Sequence, residues 1–226
     1  MSGTLRIMTW NVHGTFNLNP DFDIDGVCKI IEKWTPDIVA LQEIDSRGHR
    51  GDVFGRLAAS VGEHRVEAHS IIAADGYYGQ ALLSRWPFAG EPEVSDVSFR
   101  RREPRRVISA CVTCPGGDVK IIATHLGLSV HERYTQAQTI AGLIDDRKTI
   151  VLGDFNDWLW VKSVRRVLAS YCPVRTRLRT FPSRWPLLRL DRIYATPDAR
   201  MAKAWTDREA AVLSDHLPVI AEISFG

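Results

Sequence analysis

Short apolar runs of strand length recur along this chain, and each meets a residue that is costly to bury alone. LRIMTW, residues 5–10, runs into Asn11, and IVALQ, residues 38–42, runs into Glu43. KIIAT leads to His125, and TIVLG leads to Asp154 and then Asn156. Asp191 opens DRIYA, while Asp215 and His216 stand just before LPVIAEI. A carboxylate next to a core strand loses hydration unless it is paired, hydrogen-bonded or metal-bound. A single Asp in such a place usually closes a turn. Repetition changes the reading. Four carboxylates, two amides and two imidazoles form a set at successive strand ends, where a rigid scaffold presents functional groups.

The remaining pattern supplies the scaffold. Residues 23–34 carry Ile24, Val27, Cys28, Ile31 and Trp34 at helical spacing, with Asp21 or Asp23 as a cap and Pro36 as a stop. Helices are also expected at 54–61, at 134–145 and at 158–168. Ala137, Ile140, Ala141 and Ile144 mark one face of the second; Trp158, Val161, Val164 and Leu168 mark the third. Strands are expected at 79–84, 149–152, 192–195 and 218–223, and at 107–113 and 119–124 around a Pro115-Gly116-Gly117 hairpin turn. Strand and helix do not alternate strictly, so the pattern fits an α+β or layered α/β fold better than a Rossmann sheet. No repeat or linker stands out, nor does any glycine-rich dinucleotide or nucleoside-triphosphate motif.

Composition bounds the rest. The 226 residues suit one domain, 1–226, and 45% apolar content argues against disorder. No apolar run reaches the length of a membrane span, and MSGTLRIMTW lacks the apolar core of a signal peptide. A cytoplasmic location is therefore expected. The net charge of +2 excludes a strongly basic nucleic-acid coat protein and an acidic tail protein. Of 29 cations, however, 23 are Arg, the better bidentate partner of phosphate. Cys111 and Cys114 have metal or redox spacing. They lie in a strand-like run with no second pair, so all four cysteines read as ordinary thiols.

Seven segments, TWNVHG, DIVALQEID, ALLSRWP, ATHLG, GDFND, LDRIYA and SDHLPV, occur in order across residues 5–223. Together they resemble the endonuclease/exonuclease/phosphatase superfamily, the DNase I-like fold. The resemblance implies a four-layer α/β-β/α sandwich of two mixed β-sheets flanked by helices, with the site at one edge. It implies a divalent-metal-dependent phosphoester hydrolase using Mg²⁺, or Mn²⁺ as a substitute. Glu43 resembles the family's main metal ligand, with Asn11 and Asp215 in support; hard cations of this kind take oxygen ligands. Asp154 would orient the attacking water, and Asn156 would donate to a nonbridging phosphate oxygen. His216, its ring held by Asp191, would act as general base or phosphate-binding cation. His125 would contact the phosphate or protonate the leaving oxygen. His13 reads as a loop residue near the site, and His49, His64, His69 and His131 as surface residues.

The substrate stays open at this level. His at position 125 resembles the DNase I, sphingomyelinase and 5-phosphatase branches; abasic-site endonucleases typically have Tyr there. A phosphodiester is favoured. The alternatives are a nuclease of DNase or abasic-site type, a phospholipid or inositol-phosphate phosphatase, and a non-catalytic binding module of the same fold. The partner is accordingly a phosphate ester, either nucleic acid or phospholipid- or inositol-type. FRRREPRR at 99–106 is basic, and six arginines stand between Arg175 and Arg192 among Phe181, Trp185, Pro186, Leu187 and Leu188. The second stretch suits either a single-stranded nucleic acid or peripheral contact with an anionic surface. Otherwise it is a solvated loop with Trp185 in the core.

Overall fold

In the computed structural model, which describes residues 3–15, 21–49, 51–158 and 163–226, twelve strands form two six-stranded sheets. In the first sheet β1 (Leu5–Asn11) and β2 (Ile38–Asp45) run parallel at the centre. β4 (Gly76–Ser84) and β3 (His64–Ala73) extend one side, and β12 (Val219–Phe225) and β11 (Ala199–Trp205) the other. The second sheet also has a parallel pair, β7 (Gly117–His125) and β8 (Thr149–Asp154). It is flanked by β6 (Arg106–Cys114) and β5 (Glu93–Asp96) on one side, and by β10 (Asp191–Ala195) and β9 (Val174–Arg175) on the other. All other pairings are antiparallel.

A parallel pair needs a crossover, and each centre has one. Helix α1 (Ile24–Trp34) links β1 to β2, and α3 (Val130–Gly142) links β7 to β8. Two shorter helices, α2 (Val53–Ala59) and α4 (Val164–Leu168), join the outer layers. Alternation along the strands sorts the core. Ile7, Ile38, Ile121 and Ile150 pack between the sheets. Met8, Trp10, Val39 and Leu41 face out against Val27, Ile31, Phe54 and Leu57 of α1 and α2. Ile122 and Val151 face out against Ala137 and Ile140 of α3 and Val164 and Leu168 of α4. The result is the expected four-layer sandwich.

Most sequence expectations hold at the level of elements. Asp23 caps α1, accepting from the Gly26 N–H at 2.8 Å, and the chain leaves α1 through Thr35 at φ 42° ahead of Pro36. The hairpin pairs Cys114 with Gly117, and all four cysteines are free thiols. Burial pushes the Cys114 thiol up to about 12.

Other expectations need correction. The helix read at 134–145 runs Val130–Gly142 instead. Its first turns bury Glu132, Arg133 and Gln136, so apolar spacing misses them. Gln136 accepts from the Gly127 N–H at 2.9 Å and donates to the Val97 carbonyl at 3.0 Å, so these buried polar groups tie the helix to two loops. The helix read at 158–168 is helical only at Val164–Leu168; Trp158 is non-helical and 52% exposed, and 159–162 lie outside the described residues. His49 and His69 are not bare surface residues. They stack on Phe22 and Tyr77 with ring centroids 3.6 and 4.1 Å apart. Trp185 is not in the core but 79% exposed. Among the described residues no helix is long and apolar enough to cross a membrane.

Candidate active site

Both central parallel pairs point their carboxyl ends at the same edge, which brings the polar strand ends together. In the first sheet Asn11 lies beside Gln42, and the β2 register against β4 shifts between Leu41 and Ile44. Glu43 sits in that irregularity with φ 56°, a left-handed conformation uncommon for a non-glycine residue. In the second sheet His125 pairs directly with Asp154 across the parallel ladder, and Asp191 pairs with Asp154 from the other side. Asp154 is therefore held between an imidazole strand end and a carboxylate strand start. Gly153 permits this approach. A Cβ there would stand 1.9 Å from the Thr124 carbonyl oxygen, and its φ is +147°.

Hydrogen bonds join the two sheets at this edge. The Asn11 amide donates to Glu43 Oε1 at 2.8 Å and to Asp154 Oδ2 at 3.1 Å. Asp154 Oδ1 accepts from the Asn156 backbone N–H at 2.9 Å. The Asn156 amide donates to the Leu126 carbonyl at 2.9 Å, which leaves its second N–H available. His216 arrives on the loop before β12. The Trp10 indole N–H donates to its carbonyl at 3.0 Å. Ser214 Oγ donates to the Asn11 carbonyl at 2.7 Å and accepts from the His216 N–H at 3.0 Å.

The two imidazoles have different partners. His216 Nδ1 lies 2.8 Å from Asp191 Oδ2, with the Phe181 ring 4.9 Å away. Burial opposes charge on this ring. The Asp191 and Asp154 carboxylates and the Asp191 hydrogen bond outweigh it, and the pKa is raised to about 10. His125 Nδ1 instead faces the Arg105 guanidinium at 3.1 Å. An arginine only donates, so Nδ1 is the acceptor and the proton sits on Nε2. Burial, then the charges of Arg105 and His216, hold His125 well below the usual histidine value. Asp154 is raised to about 6, by burial first and then by the Asp191 charge, against the lowering effect of His216 and the donors from Asn156 and Asn11.

These groups line a cavity of about 440 Å³ that includes Glu43, Arg105, His125, Asp154, Asn156 and His216. Among the described residues, Asp154, Asp191 and His216 each offer a ligand atom, all within 4.8 Å of one another. Asp191 Oδ1 is buried with no hydrogen-bond partner. Asp215 Oδ1 is likewise buried without a hydrogen-bond partner; with the Glu43 carboxylate it suits a hard divalent cation, which takes oxygen donors.

Of the sequence-predicted residues, Asn11, Glu43, His125, Asp154, Asn156, Asp191 and His216 come together here. Asp215 stands beside them but is half-buried, its Oδ1 3.3 Å from His13 Nδ1. Asp191 pairs with His216 rather than with neighbouring Arg192, whose guanidinium donates to the Arg189 and Asp157 carbonyls and to the Tyr194 hydroxyl.

Three further site residues escape sequence reasoning. Arg105 has a side chain only 5% exposed and is paired with Glu103 at 2.9 Å. In sequence it is one of several arginines in FRRREPRR; its one signal is its place just ahead of a core strand. Glu103 lines the cavity with it. Burial, together with the nearby Glu43 and Glu103 carboxylates, holds the Tyr78 phenol well above its usual value.

The fold and the motifs have relatives. The model of the Endonuclease/Exonuclease/phosphatase family matches residues 8–216. The uncharacterized protein YbhP of Escherichia coli strain K12 is 30% identical, over 97% of this chain and 96% of that protein. An endonuclease/exonuclease/phosphatase from Beutenbergia cavernae superposes with a TM-score of 0.82 at 22% identity, covering 99% of this chain and 72% of that one. The human Nocturnin catalytic domain with bound sulfate gives 0.77 at 20% identity, over 99% and 94% of the two chains. D. rerio TDP2 complexed with single strand DNA product gives 0.71 at 20% identity, over 98% and 99%. At these identities the three structures establish a shared fold.

Proposed function

Because this chain belongs to the Endonuclease/Exonuclease/phosphatase family, we propose that it is a divalent-metal-dependent phosphodiesterase in which water attacks phosphorus. One observation carries the reading. The Asn11, Glu43, His125, Asp154 and His216 side chains, drawn from both sheets, converge through direct contacts on a single edge.

Glu43 would hold Mg²⁺ or Mn²⁺, supported by Asn11 and Asp215. The bound cation would polarise a phosphoryl oxygen and offset charge developing on it. Asp154, fixed by the Asn11 and Asn156 donors, would orient the attacking water. Asn156 would use its remaining amide N–H on a nonbridging oxygen. His216, its Nδ1 held by Asp191, would present Nε2 to the phosphate as a cation. A ring protonated to about pH 10 is a poor base at neutral pH. His125 would donate its Nε2–H to the phosphate or to the leaving oxygen as the P–O bond breaks. Nucleic acid enters as a candidate substrate because one structural neighbour is a complex with a single strand DNA product.

The test is turnover of an aryl phosphodiester with Mg²⁺ or Mn²⁺. Activity should appear with metal and vanish with chelator, and Asp154→Ala should lower it on the order of 10²-fold or more. Undiminished activity in chelator would remove the metal from the mechanism.

A further inference from the structure

Beside the catalytic cavity lies a second concavity, of about 220 Å³, onto which four arginines converge from separate stretches of chain. Arg165 comes from α4, Arg179 from the segment entering the Phe181–Leu188 bridge, Arg189 from the segment leaving it, and Arg192 from β10. The structure thus sorts the six arginines between Arg175 and Arg192. Arg179, Arg189 and Arg192 share this concavity, whereas Arg175, Arg177 and Arg184 are not in its lining.

Several arginines elsewhere in the molecule are paired with carboxylates, as at Arg6–Glu222, Arg65–Asp52 and Arg85–Asp37. Here, among the described residues, no carboxylate lies within ion-pair distance of Arg179, Arg189 or Arg192. The lining does contain one carboxylate, Asp157. It is buried and already accepts from Ser163 Oγ at 2.6 Å and from the Arg165 N–H at 3.2 Å. Arg192 is preorganised. Three of its donors go to the Arg189 carbonyl at 2.9 Å, the Asp157 carbonyl at 3.2 Å and the Tyr194 hydroxyl at 3.3 Å. A guanidinium has five donors, so two remain. Arg179, Arg189 and Arg192, gathered with no carboxylate at ion-pair distance, raise a local positive potential, which an anion relieves.

The position gives that anion a role. Trp158 and Leu188 line both concavities, and Arg189 is two residues from Asp191. Arginine's planar fork matches phosphate oxygens bidentately. We propose that this arginine pocket binds a second phosphate of the substrate, so that the ester cleaved is one joined by a short spacer to another phosphate group. The proposal deepens the phosphodiesterase reading and rests on it. A phosphorylated nucleotide strand and a phosphorylated glycerol headgroup both offer that chemistry.

Two measurements separate the pocket from the reaction. The first is calorimetric binding of inorganic pyrophosphate in chelator, which keeps any divalent cation out of the catalytic cavity. Wild type should bind. Arg179→Gln/Arg189→Gln, which changes two exposed side chains, should bind at least 10-fold more weakly. The second is the ratio of kcat/KM for the 5′-phosphorylated thymidine dinucleotide over the unphosphorylated one, with Mg²⁺ or Mn²⁺. The same ratio is taken for glycerophosphoglycerol with and without a terminal phosphate. The pair with the larger ratio identifies the source of the second phosphate, and that ratio should fall toward 1 in the double variant. Failure of wild type to bind pyrophosphate, equal binding by the variant, or a ratio unmoved by the substitutions would each overturn the pocket. Arginine-dependent pyrophosphate binding with no hydrolysis of any of the four diesters supports the pocket and overturns the hydrolase reading alone.

Discussion

His125 and His216 occupy similar surroundings by any simple measure. Both are buried, and their Nε2 atoms lie 3.7 and 3.8 Å from the same Asp154 oxygen. Their protonation nevertheless diverges. His216 turns its other nitrogen to a buried carboxylate and holds its proton to about pH 10. His125 turns its other nitrogen to a buried guanidinium and stays neutral. Burial acts alike on both, so the partner on Nδ1 decides which ring is the cation and which is the neutral donor. One sheet edge thus presents a fixed positive charge and a fixed N–H to the same cavity.

The comparison breaks most severely at Asp191. Asp191→Asn should remove the largest pull on the His216 proton, leaving those of Asp154 and Asp215, and lower turnover on the order of 10²- to 10⁴-fold. A second reading of the variant does not depend on activity. A histidine whose folded pKa is raised contributes stability in full below its unfolded value of about 6.5 and loses it as pH rises toward the folded value. In metal-free wild type that loss falls between about pH 6.5 and about 10. Urea unfolding across this window should slope downward in wild type and less steeply in Asp191→Asn, where the Asp154 and Asp215 charges remain. Equal slopes would show that Asp191 does not set the charge of His216.

Arg105 tests the other half, with a smaller effect. In Arg105→Gln the neighbouring charge is gone, though burial and His216 remain to depress the ring. His125 should then titrate higher than in wild type, and turnover should fall on the order of 10-fold. Nitrogen NMR of the ring should find the wild-type proton on Nε2. A proton on Nδ1 would contradict the Arg105 hydrogen bond and exchange the direction in which His125 can donate.

The same contrast explains what could be seen in the sequence. Asn11, Glu43, Asp154 and Asp191 are visible because each ends or opens a short apolar run, and His216 because it sits between Asp215 and a core strand. Their sharing of one edge follows from two parallel pairs whose carboxyl ends coincide. Arg105 and Tyr78 were hidden. Arg105 sits in a run of arginines where nothing local distinguishes a buried guanidinium from solvated ones. Tyr78 lies ahead of the apolar part of β4, and only the bulge that turns Glu43 brings the two together. The start of helix α3 is hidden for a related reason, since its buried face is partly Glu132, Arg133 and Gln136. Polar groups that face inward to meet other polar groups leave no periodic trace.

Ser214 measures how closely His216 must be held once its charge is set. Its hydroxyl joins the Asn11 carbonyl, at 2.7 Å, to the His216 N–H, at 3.0 Å, and its side chain is fully buried. Ser214→Ala leaves both backbone groups without this partner but keeps the Asp191 hydrogen bond to the ring. The unpaired groups should cost about 1–3 kcal/mol in unfolding free energy. The pH slope of stability above 6.5, which reports the His216 proton, should persist. Turnover should fall by only a few-fold, because Trp10 still donates to the His216 carbonyl at 3.0 Å and limits its displacement. Loss of the pH slope in Ser214→Ala would mean that the loop, and not Asp191 alone, sustains the difference between the two imidazoles.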